Sequence, residues 1–213
     1  MKNLFVITAF LLTQLLQAQT YTMVDLFNST QLYGERGYYF HDTQGYFNIY
    51  KNATWQHTSA NITIQLRFDV KTFIRDNRFK ADGLVGGIRI VKNGVEVLNT
   101  LYDVQQIKHS NTDYTIYSGP RLPNTSDCFS CTIPYQQLYM HYKEPDNDNN
   151  AFSFLHFTMH IYYDRQNQPV LRLVFTEEAL RGMNPAYVDP DFPAPSKTQL
   201  FLPFGTYDFF KMP

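Results

Sequence analysis

Four clusters in this chain carry residue types that could do chemistry, and the first is Cys128-Phe129-Ser130-Cys131. A redox-active pair with this spacing sits at a helix N-terminus, where the dipole lowers the thiol pKa. Here Thr132-Ile133-Pro134 follows, which is a poor helix start, and no strand–helix–strand pattern precedes it. On a strand, residues three apart lie ~10 Å from each other on opposite faces. A disulfide needs Cα atoms within about 7 Å, so a Cys128–Cys131 bond requires a turn. The expectation is a local structural disulfide. Reduced thiols, a redox pair and half of a zinc site are the alternatives, and one pair without a second is weak evidence for zinc.

The second cluster is His156 and His160. Four residues of strand span ~13 Å, too far for both rings to bind one ion. They share a face with Thr158 and Tyr162, opposite Leu155, Phe157 and Met159, and read as a mixed polar–aromatic outer or lumenal face. The third, Asp146-Asn147-Asp148-Asn149-Asn150, starts like a calcium loop. It lacks the glycine at the sixth position and the closing glutamate, so it reads as a solvated turn. The fourth, Glu177-Glu178, joins sequence neighbours that point apart and make no acid/base pair. Phosphate-loop, Gly-x-Ser-x-Gly and His-Glu-x-x-His motifs are absent. The sequence therefore assigns no catalytic residue, no metal ligand and no cofactor, and leaves any binding residues unknown.

The elements that must position such residues begin after an N-terminal leader. Lys2 precedes an apolar run from Leu4 to Leu16, and Ala18-Gln19 fits a cleavage point. The run is shorter than the ~20 apolar residues that cross a bilayer as a helix. Residues 1–18 are expected to be a signal peptide, which makes the protein exported, to the periplasm or beyond. The remaining 195 residues suit one domain and carry 17 basic against 19 acidic side chains. No basic patch points to nucleic acid, and no later segment is apolar enough for a transmembrane helix. Aromatic residues make up 16% of the chain, which leans the composition towards β-structure.

Residues 19–45 hold no period and read as an irregular extension; residues 46–213 read as one β-rich domain. Phe47, Ile49, Ala53 and Trp55 fall on one parity and suggest a first strand. Ile62, Ile64, Leu66, Phe68 and Val70 alternate without exception with Thr63, Gln65, Arg67, Asp69 and Lys71, the pattern of a half-buried strand. Asn93-Gly94 fits a type I′ turn, and counting back from it pairs Lys92 with Val95 and Ile90 with Val97. Gly86-Gly87 suggests a bend for barrel closure or a bulge. Residues 132–142 carry Pro134 and read as an edge strand. Strands follow at Leu155–Tyr163 and Leu171–Phe175, four prolines interrupt 184–197, and Gln199–Leu202 is expected to be the last strand. Eight or nine strands without a helical period predict an all-β, antiparallel, barrel-like fold of the lipocalin-like up-and-down kind, or else a β-sandwich.

Ala53-Thr54-Trp55, the strand 62–70, Leu84 with Gly86-Gly87, Lys92-Asn93-Gly94-Val95 and Asn99-Thr100 come in a familiar order. Together they resemble an uncharacterised family of small exported Bacteroidota proteins, a domain of unknown function. The resemblance is strongest over 46–102 and looser over 152–202. Ala53 stands where that family usually has glycine, which departs from the Gly-x-Trp opening of lipocalins. The resemblance implies location and fold class and no activity.

The leading expectation is a non-enzymatic exported barrel that binds a small apolar molecule or an envelope component in its interior or at its mouth. The second is a structural or protein-interaction domain with an aromatic docking surface, which a side-chain-filled interior would favour. An enzyme with scattered carboxylates and histidines, and a small outer-membrane barrel, are the third and fourth.

Overall fold

The computed structural model describes residues 21–27, 34–51, 53–75, 78–118, 137–143, 155–176 and 200–213. These form eleven strands: β1 (Thr22–Asp25), β2 (Tyr38–His41), β3 (Thr54–Thr58), β4 (Ile62–Arg75), β5 (Phe79–Lys92), β6 (Val95–Asn99), β7 (Ile116–Ser118), β8 (Gln137–Tyr142), β9 (Leu155–Tyr163), β10 (Pro169–Phe175) and β11 (Gly205–Lys211). Eight of them close a barrel in the order β3-β4-β5-β7-β8-β9-β10-β11, with β11 returning to β3. Every neighbouring pair in the ring is antiparallel and successive along the chain once β6 is set aside. The fold is thus an up-and-down barrel, and the sandwich alternative falls away.

Strict alternation explains the longest ladder. The β4 and β5 strands pair over fourteen positions, Ile62↔Lys92 to Arg75↔Phe79. Asn93 (φ 51°) and Gly94 (φ 79°) both take the left-handed conformation that the turn into β6 demands. Lys92 pairs with Val95 as expected, but a bulge after Ile90 pairs it with Leu98 rather than Val97. On its second edge β5 meets three partners in turn: β2 at Lys80 and Ala81, β7 at Val85 and Gly86, and β6 from Arg89. Gly87 stands where β7 gives way to β6. A Cβ there would lie 2.2 Å from the Thr100 carbonyl oxygen, because the chain leaving β6 crosses directly over it.

Several expectations change. Residues 22–25 and 38–41, read as irregular, are strands; β1 pairs with β2 and β2 with β5, both in parallel. Residues 46–49 form a 3₁₀ turn, not the start of a strand. The Asp42 carboxylate draws in the Tyr46 and Phe47 N–H groups at 2.9 and 2.8 Å, a local bond that outcompetes sheet pairing. Of the expected edge strand, residues 132–136 lie outside the described ones, and the described part is internal: β8 pairs with both β7 and β9. The last described strand is Gly205–Lys211; of the expected Gln199–Leu202, Gln199 lies outside the described residues, and Leu200 and Leu202 are buried without strand pairing.

Inside, alternate side chains of all eight ring strands meet in one cluster. Trp55, Phe68, Phe157, Phe175 and Phe209 are each at most 2% exposed, and the 3₁₀ turn adds Phe47 and Tyr50. A smaller cluster of Phe73, Val85, Tyr114 and Tyr117 lies separate from this core.

Candidate functional site

The ladder that closes the ring, between β3 and β11, is short. The two strands are joined only at Phe210↔Gln56 and Lys211↔Trp55, with Met212 N–H donating to the Thr54 carbonyl at 2.8 Å. Beyond these pairs the strands part, and the His57 ring bridges the gap with Nδ1 2.9 Å from the Asp208 carbonyl oxygen. The result is a cleft of about 470 Å³ lined by Gln56, His57, Thr58, Thr206, Asp208, Phe210, Lys211 and Met212. Alternation sends Tyr207 and Phe209 to the core, where both pack on the His57 ring, and turns Thr206, Asp208 and Phe210 the other way.

Arg172 on β10 supports one wall of this cleft. Its Nε and a terminal nitrogen donate to the two oxygens of Asp208, each at 2.7 Å, a bidentate pair. The guanidinium also lies 4.8 Å over the Tyr162 ring. The hydrogen bond from Arg172 holds the Asp208 carboxyl below its usual range and raises Arg172 in turn. Asp208 is therefore a fixed anion and hydrogen-bond acceptor, not a general acid. Burial raises the phenols of Tyr162 and, to about 12, Tyr207. Carboxylate, amide, hydroxyls and the exposed Phe210 ring give the cleft a binding chemistry of polar fixation beside an apolar platform.

A second polar centre joins β2 to the β4–β5 hairpin. Asp82, buried, accepts from Tyr39 Oη at 2.9 Å and Thr72 Oγ1 at 2.7 Å on one oxygen. Its other oxygen takes the Asp42 N–H at 3.1 Å and lies 2.5 Å from His41 Nδ1. Burial raises the Tyr39 phenol. Four partners occupy the carboxylate, so it clasps the N-terminal strands to the barrel and has little capacity left for a ligand.

The third feature is a row of rings on β7, β8 and β9. Tyr117 stacks on His141 with centroids 4.8 Å apart at 14°, and His141 meets His156 edge-on at 4.4 Å. Burial lowers both histidines, His141 to about 4 with help from its neighbour's charge, so both rings are neutral at pH 7.

The amino-acid sequence matches a family of unknown function, DUF6705, over residues 1–179. The chain belongs to that family. No curated protein and no solved structure matches it. The matched range contains the clasp and the ring row but ends before β11, so half of the cleft wall lies beyond it.

Of the residues singled out by sequence, His156 and His160 share one face of β9, turned away from the core. They meet different neighbours: His156 pairs across to His141, and His160 to Gln137 and Arg172. Cys128, Cys131, Asp146–Asn150, Glu177 and Glu178 lie outside the described residues. Sequence reasoning missed His57, Asp208 and His141. His57 and Asp208 sit 151 positions apart and meet only through barrel closure. The parity of His141 with Tyr139 was a usable signal, but its partner on β9 depends on the long connection after Lys143.

Proposed function

We propose that this protein is an exported, non-enzymatic interaction domain that meets its partner with its outer wall, at the β3–β11 cleft, and not with its interior. The observation that carries the reading is the occupied interior: Trp55, Phe68, Phe157, Phe175 and Phe209 fill the space where a barrel would hold an apolar ligand. The cleft supports it from outside, with Phe210 56% exposed beside Met212 and the fixed Asp208 carboxylate. Aromatic anchors flanked by satisfied polar groups are the usual core of a protein contact. The apolar N-terminal leader supports export, which brings the domain to envelope proteins as partners.

Trp55 is the single tryptophan and sits 1% exposed in the core, so it reports on the interior. Titration with fatty acids, phospholipids and hydrophobic dyes is expected to leave its emission and the melting temperature unchanged. A spectral shift with a raised melting temperature would overturn the reading in favour of an interior ligand. On the other arm, crosslinking in isolated cell envelopes is expected to give a discrete adduct that Phe210→Asp abolishes.

A further inference from the structure

We propose that His141 and His156 form a two-imidazole site for a divalent transition-metal ion, Cu²⁺ above Zn²⁺, on the β8–β9 wall. The two residues are direct cross-strand partners, so backbone pairing fixes their spacing. Both lie on the face opposite the core, between Leu138, Met140 and Tyr142 on one strand and Leu155 and Phe157 on the other. A metal–nitrogen bond of about 2.0–2.1 Å places each ring centre about 3.2 Å from the ion. Ring centres 4.4 Å apart lie within the span of two such imidazoles on one ion, and the general affinity order for nitrogen ligands places Cu²⁺ above Zn²⁺.

A second observation points the same way. His141 Nδ1 is buried and has no hydrogen-bond partner among the described residues. A buried imidazole nitrogen left this way carries an uncompensated desolvation cost, and an ion or water is the usual resolution. Stacking on Tyr117 limits the orientation of the His141 ring, the role that supporting groups play around metal ligands. Among the described residues the two imidazoles are the donors of this site, and no group of three or more His, Cys, Asp or Glu side chains suited to a metal occurs there. This site uses no residue of the β3–β11 cleft, and its failure would leave the interaction reading standing.

The test uses tag-free, chelator-stripped protein titrated with CuCl₂. One saturable equivalent is expected, with electron paramagnetic resonance showing two coordinated imidazole nitrogens. His141→Gln and His156→Gln should each weaken binding roughly tenfold or more, while His160→Gln, on the same face of β9, should bind as wild type. In the unmodified protein, substoichiometric Cu²⁺ should broaden the imidazole resonances of His141 and His156 before those of His41, His57, His109 and His160. That measurement decides the matter even if a variant fails to fold. Broadening led by any other histidine or by the N-terminus, absence of saturation, or variants that bind unchanged would overturn the site.

Discussion

On the β3–β4–β5 wall, outward polar side chains satisfy one another. Gln65 donates to Gln56 at 2.7 Å, Arg89 donates to Gln65 at 3.2 Å, and Arg89 pairs with Glu96 on β6. On the β7–β11 wall the equivalent positions hold Tyr117, His141, His156, His160 and Tyr162, and His141 Nδ1 is buried there with no hydrogen-bond partner among the described residues. Both walls feed the same core with alternate apolar residues. The difference lies on the outside: one face is closed on itself, and the other offers rings, a braced carboxylate and an orphan nitrogen. A barrel with a filled interior can specialise its exterior one wall at a time.

The first wall is also the tighter, and Gly87→Ala breaks it most severely. The added Cβ would meet the Thr100 carbonyl oxygen at 2.2 Å and the Leu101 Cα at 2.8 Å, both backbone atoms that cannot rotate away. The expected cost is about 3 kcal/mol or more, read from urea denaturation. Gly94→Ala is the control: it meets no neighbouring atom within 4 Å and suffers only from its positive φ of 79°, about 1 kcal/mol. Equal costs for the two would mean that the chain crossing over β5 is loose.

How much of this was legible in the sequence follows the same division. Residues 62–70 and the hairpin about Asn93-Gly94 declare themselves, because alternation and Asn93-Gly94 are local signals that tertiary structure does not override. The bulge after Ile90 escapes, since nothing in the residue types marks the slip, and so do 71–75 and 79–83, where the β4–β5 ladder runs on beyond the strict alternation. At 46–49 Phe47 and Ile49 keep strand parity, but Asp42, four or five residues upstream, captures the Tyr46 and Phe47 N–H groups and turns the chain. The cleft was illegible for a different reason. Gln56 and Phe210 become neighbours only when the ring closes, and no periodicity encodes which two strands close it. Composition showed an aromatic surplus without showing which rings, Trp55, Phe68, Phe157, Phe175 and Phe209 among them, fill the barrel.

Acid sharpens the comparison on the second wall. His141 has a folded pKa near 4 against an ordinary 6.5, so between those values the unfolded chain binds a proton that the native state refuses. Stability is therefore complete above about pH 6.5, declines as pH falls, and stops declining near pH 4. His156, lowered by burial, adds to the loss with the same sign. The groups facing His141 are Tyr117 from β7 and His156 from β9, and neither brings a negative charge that would offset protonation. With the ring reached partly by water, the expected loss is about 1–2 kcal/mol. Denaturation in the presence of EDTA at the two ends of that range measures it. His141→Gln should remove most of the slope, and a slope unchanged in that variant would assign the acid sensitivity elsewhere.

The smallest effect concerns the Arg172–Asp208 brace. The pair is bidentate but partly exposed, so Asp208→Asn is expected to cost only about 0.5–1 kcal/mol at neutral pH. Asp208 has a lowered folded pKa, so its contribution is present above the ordinary carboxyl value of 3.8 and is lost as acid protonates the folded form. Wild type and variant should therefore converge in strong acid, whereas the His141 effect appears at milder acidity. The brace also holds the cleft, so crosslinking to an envelope partner should fall by more than the stability change accounts for. A variant that loses stability but keeps its partner would move the contact away from Asp208 and towards Phe210 and Met212, leaving the carboxylate as a strut between β10 and β11.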